Sequence, residues 1–207
     1  MSQKATIQIN NAASVLKNGG IIIYPTETVY GIGCDPLNAD AVDRTMKLKQ
    51  RDSSKTMLLL AESLEMVEAM AGTSDILAHT LAEHFWPGPL TMIIKPSKPV
   101  PEYLKGSTGG VAFRVTSHRL ASAIIREFGR PIISTSANIT GQKPIVTYES
   151  AYREFGSKAD LVVDNTEPLS EKPSTIIDIT SGRVVIVRPG GIGLVELQEI
   201  SGDVPAQ

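Results

Sequence analysis

Cysteine is nearly absent from this chain of 207 residues, which contains a single one, Cys34. One cysteine cannot form a disulfide within the chain, and it cannot supply the several thiolates of a cysteine-rich zinc site. Long hydrophobic runs are missing as well, since no apolar stretch approaches the roughly 20 residues that a helix needs to cross a bilayer. The first residues also lack the apolar core of a secretory signal. The sequence therefore predicts a cytoplasmic protein with no membrane-bound part.

An excess of charge of either sign is also missing, because 22 acidic residues face 20 basic ones and the net charge is −2. This balance argues against a protein that binds nucleic acid mainly by neutralising phosphates, although it leaves room for a local basic patch. Hydrophobic residues make up 42% of the chain. A globular chain of this length and composition can bury one substantial core, so we expect one domain.

Glycine and proline residues divide the chain into short apolar strands and helices, which predicts the α/β class. The predicted strands are 21–24, 57–61, 90–95, 111–115, 131–134, 161–163, 174–179 and 184–188, and the predicted helices are 10–17, 39–48, 63–70, 74–85, 119–128 and 147–155. The last two strands flank Ser181-Gly182, which is typical of a hairpin, so the sheet is expected to be mixed. Alternation along 111–115 places Arg114 on the face opposite the apolar residues of that strand.

Most standard catalytic motifs are absent. The chain has no complete dinucleotide-binding glycine fingerprint, no Walker loop, no zincin histidine pair and no G-x-S-x-G elbow. We expect no protein-held metal site, and we interpret His79, His84 and His118 as ordinary surface or core residues.

Three polar segments each follow an apolar strand or a helix, which is where α/β proteins place their sites. Segment 24–31 combines hydroxyls, a carboxylate and a phenol, although a plain turn is the alternative. Segment 47–55 carries four cations and one acid, which suits either a polyphosphate or a solvated surface. Segment 134–141 offers small hydroxyls and an amide for a phosphate or an amino-acid head group, unless it only forms an Asx turn or helix cap.

In this order and spacing, the segments resemble the YrdC/Sua5 family of threonylcarbamoyl-adenylate synthases. The matching pieces are Tyr24-Pro25-Thr26-Glu27-Thr28-Val29-Tyr30-Gly31, the K-x-R signature Lys49-Gln50-Arg51, the S-x-N signature Ser136-Ala137-Asn138, and the closing strand pair at 173–178 and 188–190. The resemblance covers about 12–193. It implies a single YrdC-like domain over 1–207 with a short C-terminal tail, built as a twisted mixed sheet flanked by helices around a large concave cavity.

The resemblance also implies an activity. Enzymes of this family condense L-threonine, bicarbonate or CO2, and ATP into threonylcarbamoyl-AMP and pyrophosphate, with Mg²⁺ accompanying the ATP. This nucleotidyltransferase reaction feeds the t6A modification at position 37 of tRNAs, and a separate TsaD-type transferase complex moves the group to tRNA. Weak binding of tRNA or double-stranded RNA is a further expectation.

The family resemblance also implies roles for individual residues at matching positions of this sequence. The resemblance implies catalytic roles for Lys49, Arg51, Ser136 and Asn138. The implied threonine-binding residues are Tyr30, Thr28, Arg114, Ser136 and Ser174. The implied ATP-binding residues are Lys49, Arg51, Ser53, Met57, Asn138, Thr147 and Arg188.

The chain departs from the family pattern at three positions where proline is usual, which here hold Asp52, Thr56 and Thr116. The first two fall in the loop that is expected to hold ATP. The alternative function is therefore that of a catalytically weak paralogue, similar to YciO, which binds nucleotide or structured RNA. A carbamoyl-transferring paralogue is a further alternative, but we see no acylphosphatase or zinc-finger segment of the kind found in hydrogenase-maturation proteins.

Overall fold

Strands of this chain form one mixed sheet with helices on both faces, as the sequence predicts. The computed structural model describes residues 2–50, 57–72, 75–138, 143–165, 167–170 and 172–202. The helices are α1 (Gln3–Lys17), α2 (Ala39–Lys49), α3 (Leu64–Ala71), α4 (Ile76–Phe85), α5 (Arg119–Phe128), α6 (Tyr148–Phe155) and α7 (Leu194–Ser201). The strands are β1 (Ile22–Pro25), β2 (Tyr30–Cys34), β3 (Leu58–Ala61), β4 (Leu90–Ile94), β5 (Val111–Val115), β6 (Ile132–Ser136), β7 (Leu161–Val162), β8 (Thr175–Asp178) and β9 (Val185–Arg188).

The strand order in the sheet is β7-β1-β2-β6-β3-β5-β4-β8-β9. Three pairs are parallel, β1 with β7, β3 with β5 and β4 with β8, and the other pairs are antiparallel. The predicted hairpin is confirmed as β8 and β9, with Gly182 in the turn at φ 78°. The mixed character of the sheet, however, comes from its centre as much as from this hairpin.

Helix boundaries follow local capping. The Asn38 side chain accepts a hydrogen bond from the backbone N–H of Ala41, and α2 begins at the predicted residue, Ala39. Gly129, at φ 91°, ends α5 in a left-handed conformation that suits glycine. Helix α1 begins seven residues earlier than the predicted start, because Ser2 caps it by accepting from the N–H of Ala5. Helix α7 and strand β2 were not predicted.

Strand β2 escapes prediction because two of its five residues are glycines, which rarely favour strands. Packing explains them. A Cβ atom on Gly33 would lie 2.8 Å from a ring carbon of Tyr24, and one on Gly31 would lie 3.1 Å from the Ser134 hydroxyl. The ring of Tyr24 and the hydroxyl of Ser134 thus occupy the space that side chains on this strand would need.

The two faces of the sheet are covered unequally. On one face, α1 and α5 pack against Ile22, Tyr24, Leu60 and Ile132. The other face carries the larger core, which includes residues of α2, α3, α4 and α7. Side chains two residues apart on a strand point to the same face of the sheet. Leu58 therefore lies on the same face as Leu60, and Ser134 on the same face as Ile132, which is the face that α1 and α5 cover in part. Leu58 and Ser134 line a cavity, so this face is open where helices do not cover it.

Candidate functional site

A cavity of about 540 Å³ lies on the partly covered face of the sheet. It joins the turn after β1, the ends of β2, β3, β6 and β9, and the middle of β4, β5 and β8. Its lining residues are Thr26, Thr28, Val29, Tyr30, Gly31, Leu58, Thr91, Ile93, Ala112, Arg114, Ser134, Thr135, Ser136, Pro144, Pro173, Ser174, Ile176, Val187 and Arg188. All three polar segments singled out in the sequence have residues in or beside this cavity.

The turn between β1 and β2 is built by one hydroxyl. Thr26 Oγ1 donates to the carbonyl of Val29 at 2.7 Å, accepts from the N–H groups of Thr28 and Val29 at 3.3 Å, and lies 3.0 Å from Thr28 Oγ1. This Ser/Thr turn places the Thr28 hydroxyl in the cavity wall. Thr26 therefore has a structural role as well as a place in the lining, although within the predicted segment 24–31 it had no individual role.

Arg114 lies on the cavity face of β5, as the alternation predicts. Its side chain is only 5% exposed, and its Nε lies 3.1 Å from Oε1 of Glu27. The other carboxylate oxygen of Glu27, Oε2, accepts a hydrogen bond from Thr116 Oγ1 at 2.6 Å. A buried guanidinium that lines a cavity can receive a ligand carboxylate or phosphate in a forked contact.

Lys49 ends α2 inside the protein rather than in solvent, with only 6% of its surface exposed. Its Nζ lies 2.5 to 3.0 Å from four acceptors, Ser136 O, Ser136 Oγ, Asn138 O and Asn138 Oδ1, so its three N–H groups are shared among them. Ser136 Oγ also donates to Asn138 Oδ1 at 2.7 Å. The structure therefore brings together the lysine of the K-x-R pattern and both residues of S-x-N, although 87 residues separate Lys49 from Ser136. We call Lys49, Ser136 and Asn138 the ammonium cluster.

The opposite wall is held by Ser174 and Arg188. The Arg188 Nη2 donates to the Ser174 carbonyl at 2.9 Å and to its hydroxyl at 3.1 Å, across the β8–β9 end of the sheet. Ser174 Oγ also lies 3.0 Å from Thr91 Oγ1 on β4, and both of these side chains are buried. Ser174 and Arg188 thus reach the same cavity as Arg114, as the resemblance implies.

Two tyrosines support the cavity wall. The Tyr30 hydroxyl donates to the carbonyl of Val163 at 3.2 Å, and the Tyr24 hydroxyl donates to Ser134 Oγ at 2.7 Å. Burial raises the pKa of both phenols, so they remain protonated donors at neutral pH. Tyr30 lines the cavity as expected, but its hydroxyl is already engaged.

Two predicted ATP-binding residues, Thr147 and Met57, lie outside the lining of the cavity. Thr147 is the N-cap of α6, where its Oγ1 accepts from the N–H of Ser150 and donates to the Ser150 hydroxyl, and it is not part of the lining. Met57 is buried in the larger core next to β3. The predictions for Arg51 and Ser53 concern positions outside the described residues.

Several lining residues were not selected from the sequence, among them Thr91, Ile93 and Ile176. A signal existed for Thr91, which is a buried hydroxyl in an otherwise apolar strand. Its place opposite Ile176 depends on the parallel pairing of β4 with β8, which residue types alone do not reveal.

The charge of the lining has one sign. Arg114 and Arg188 are its cations, and the described lining contains no Asp, Glu or His. The remaining polar groups are hydroxyls and backbone, so the cavity suits a ligand that carries anionic groups. A second, more open depression of about 720 Å³ lies between α3 and α4 and contains none of the selected segments.

Neither a protein-held metal site nor a membrane span is found in the part of the chain that the structure describes. No group of three or more His, Cys, Asp or Glu residues there is arranged to hold a metal ion. None of the helices there combines the length and apolar character needed to traverse a membrane.

Comparison with known proteins gives one consistent result. A Sua5/YciO/YrdC family model, described as "Telomere recombination", matches residues 14–190. A protein of Methylococcus capsulatus named threonylcarbamoyl-AMP synthase is 40% identical over 172 residues, which is 83% of this chain and 92% of that protein. A protein of the same name from Pyrococcus abyssi is 34% identical over 95% of this chain, which spans 58% of that protein.

Solved structures agree with the sequence matches. The crystal structure of P. abyssi Sua5 complexed with L-threonine matches with a TM-score of 0.89 at 34% identity, over 96% of this chain and 58% of that one. The structure of E. coli YciO matches with a TM-score of 0.84 at 26% identity, over 95% of both chains. This chain therefore belongs to the Sua5/YciO/YrdC family, and its fold is the twisted mixed sheet that the sequence resemblance implies.

Proposed function

We propose that this protein is a threonylcarbamoyl-AMP synthase, which condenses L-threonine, bicarbonate or CO2, and ATP into threonylcarbamoyl-AMP and pyrophosphate. The observation that carries the proposal is the shape of the site. One cavity, lined by Arg114 and Arg188, has the ammonium cluster at its edge, so an amino-acid carboxylate and a triphosphate can both find cationic partners there. Relatives that bear this name support the proposal.

The reaction forms two bonds. The threonine amine nitrogen bonds to the carbon of CO2 and loses a proton to solvent, which gives a carbamate. From bicarbonate, the carbon–hydroxyl bond breaks instead, and the hydroxide leaves with the amine proton as water. A carbamate oxygen then bonds to the α-phosphorus of ATP while the bond from that phosphorus to the bridging oxygen breaks. Pyrophosphate leaves with the electron pair. Such a displacement depends mainly on positioning and on stabilising the charge that develops on the leaving group.

Most of the implied site residues that the structure describes have a proposed part in this reaction. Arg114 receives the threonine carboxylate, and the hydroxyls of Thr28 and Ser174 contact the rest of the amino acid from the cavity wall. Ser136 and Asn138 set the position of the α-phosphate beside the carbamate. Arg188 and Lys49 supply positive charge for the phosphates, and the four contacts of Lys49 add a second role, which is to hold Ser136 and Asn138 in place.

Magnesium is proposed to arrive with ATP rather than to reside on the protein. The described lining offers hydroxyls and backbone carbonyls but no carboxylate, so the phosphate oxygens would supply the charged ligands of the ion. The product is a mixed anhydride, which must pass to a second enzyme that acts on tRNA. We propose a TsaD-type transferase complex as that acceptor, with direct tRNA binding by this chain weak.

A YciO-like paralogue with weak or no synthase activity is the second candidate. The observation that favours it is the match to E. coli YciO over 95% of both chains. In that case the same cavity would bind nucleotide or structured RNA without forming the anhydride.

The test is pyrophosphate release with ATP, bicarbonate and Mg²⁺, with and without L-threonine, together with detection of threonylcarbamoyl-AMP by mass spectrometry. We expect release only with threonine, and a loss of at least about 10-fold in kcat/KM for Arg188→Ala, because a charge-assisted contact is worth more than about 1.4 kcal/mol. Arg183→Ala is the matched control, since Arg183 is an exposed arginine near the β8–β9 turn. Release without threonine, or no release at all, refutes the proposal and favours the paralogue.

A further inference from the structure

We propose that Glu27 is a positioning residue for threonine, which acts by fixing the guanidinium of Arg114, and that Thr116 anchors Glu27 for this purpose. The inference rests on the proposed function, in which Arg114 receives the carboxylate of threonine. It adds two residues that do not line the cavity to the set that determines threonine affinity.

The three side chains form a buried relay behind the cavity wall. Oε1 of Glu27 lies 3.1 Å from Arg114 Nε, and these side chains are 14% and 5% exposed. Oε2 accepts a 2.6 Å hydrogen bond from Thr116 Oγ1, and Thr116 is 2% exposed. Thr116 Oγ1 in turn accepts from the N–H of His118 at 3.1 Å, so its own orientation is set by the backbone before α5.

The backbone around Glu27 is held equally firmly. The Thr26 hydroxyl closes the turn that contains Glu27 by bonding to Val29 and Thr28. The carbonyl of Glu27 accepts from the N–H of Ser170 at 3.1 Å, which ties the turn to the segment after β7. Glu27 is therefore fixed through both its main chain and its carboxylate, as a positioning residue must be.

The geometry of the ion pair favours a ligand on the cavity side. A buried guanidinium without a counter-ion is strongly destabilising, so Glu27 makes it possible for Arg114 to be buried in the cavity wall. The contact is made to Nε, although neither Nε nor Oε1 forms a well-aligned hydrogen bond. A carboxylate therefore finds the two terminal nitrogens as a fork, provided that the guanidinium plane keeps the orientation that Glu27 imposes.

Thr116 is the member of this relay at which the sequence departs from the family pattern. The family pattern has proline at this position, and a proline has no hydroxyl to donate. The departure from the pattern thus coincides with the hydrogen bond that orients Glu27.

The test compares Glu27→Gln, Thr116→Val and Thr116→Ser with the wild type by steady-state kinetics in both substrates, by calorimetric titration with L-threonine, and by thermal unfolding. We expect Glu27→Gln to raise the threonine KM and Kd about 10-fold or more, because small misplacements of a positioning group are costly, while the ATP KM stays within about 2-fold. Thr116→Val is expected to act in the same direction, and Thr116→Ser to restore wild-type threonine affinity.

Glu62→Gln is the matched control, since Glu62 also pairs with an arginine, Arg126, at 2.9 Å, but that arginine is 66% exposed and neither residue lines the cavity. An unchanged threonine Kd in Glu27→Gln overturns the relay. So does a rise in both KM values that follows the loss of thermal stability, which would indicate a merely structural role. Failure of the wild type to release pyrophosphate with threonine refutes the proposed function instead, and threonine titration still tests the relay in that case.

Discussion

Replacement of Lys49 by methionine is the most informative single change in this structure. Methionine keeps much of the length and the apolar stem of lysine but removes the ammonium group. In the wild type, Nζ lies 2.5 to 3.0 Å from at least four acceptors on Ser136 and Asn138. The variant leaves those oxygen atoms without the cation that gathers them.

The size of the effect follows from the number of acceptors and from their partial burial. Each buried polar group that loses its partner costs about 1–3 kcal/mol. Water from the adjacent cavity can satisfy about half of the four acceptors, so we expect the free energy of unfolding to fall by about 2–6 kcal/mol. For a protein of this size, a change of 1 kcal/mol shifts Tm by about 2–4 °C, which gives a decrease of about 4–24 °C.

The assay is thermal and urea unfolding of Lys49→Met without any nucleotide, so that loss of ligand binding does not enter the result. Lys47→Met is the control, because Lys47 lies two residues earlier on α2 and forms an exposed ion pair with Asp43, which contributes little. If Lys49→Met unfolds at the same temperature as Lys47→Met, Lys49 does not organise the ammonium cluster. Its role would then be limited to the phosphates.

Two further predictions concern buried titratable groups. Burial raises the pKa of the Cys34 thiol to about 12. We therefore expect no labelling of Cys34 by a thiol reagent at pH 8 in the native protein, and full labelling in urea. Rapid labelling of the native protein would contradict the buried position of Cys34. Burial lowers the pKa of His118, in spite of two nearby carboxylates, below its unfolded value of about 6.5. The unfolded chain then takes up the proton first, so unfolding free energy is highest above about pH 6.5 and falls as the pH drops toward the folded pKa. His118→Asn keeps a capping acceptor for α5 and should weaken this dependence in urea unfolding, whereas an unchanged pH dependence would refute the assignment.

Local signals in the sequence predicted much of the fold. Apolar runs bounded by glycine or proline located β1, β3 to β6 and the final hairpin. The predicted helices 39–48 and 119–128 agree with α2 and α5, which Asn38 and Gly129 cap. Arg114 was assigned to the correct face by strand alternation alone. These signals depend on neighbours in the chain, which is why they can be detected without the structure.

Long-range packing explains the features that the sequence did not reveal. The glycines of β2 make it a poor strand by propensity, and only the ring of Tyr24, brought close by the pairing of β1 with β2, shows why they are needed. The resemblance implies that Thr147 binds ATP; the structure shows that its hydroxyl caps α6, and the contact with ATP stays a prediction. Lys49 was expected to grip phosphate, and its contacts with Ser136 and Asn138 became visible only when α2 and β6 were placed side by side.

The unequal cover of the sheet connects stability with function. On one face of the sheet, α1 and α5 cover Leu60 of β3 and Ile132 of β6. On the same face, Leu58 and Ser134 of these two strands line the cavity. A third helix on this face would bury more apolar surface, but it would also fill the space in which Arg114 can meet a ligand. The polar relay behind Arg114 is the consequence. Because the cavity wall must contain a buried cation, the fold needs a carboxylate on the same side, and the turn after β1 brings Glu27 there.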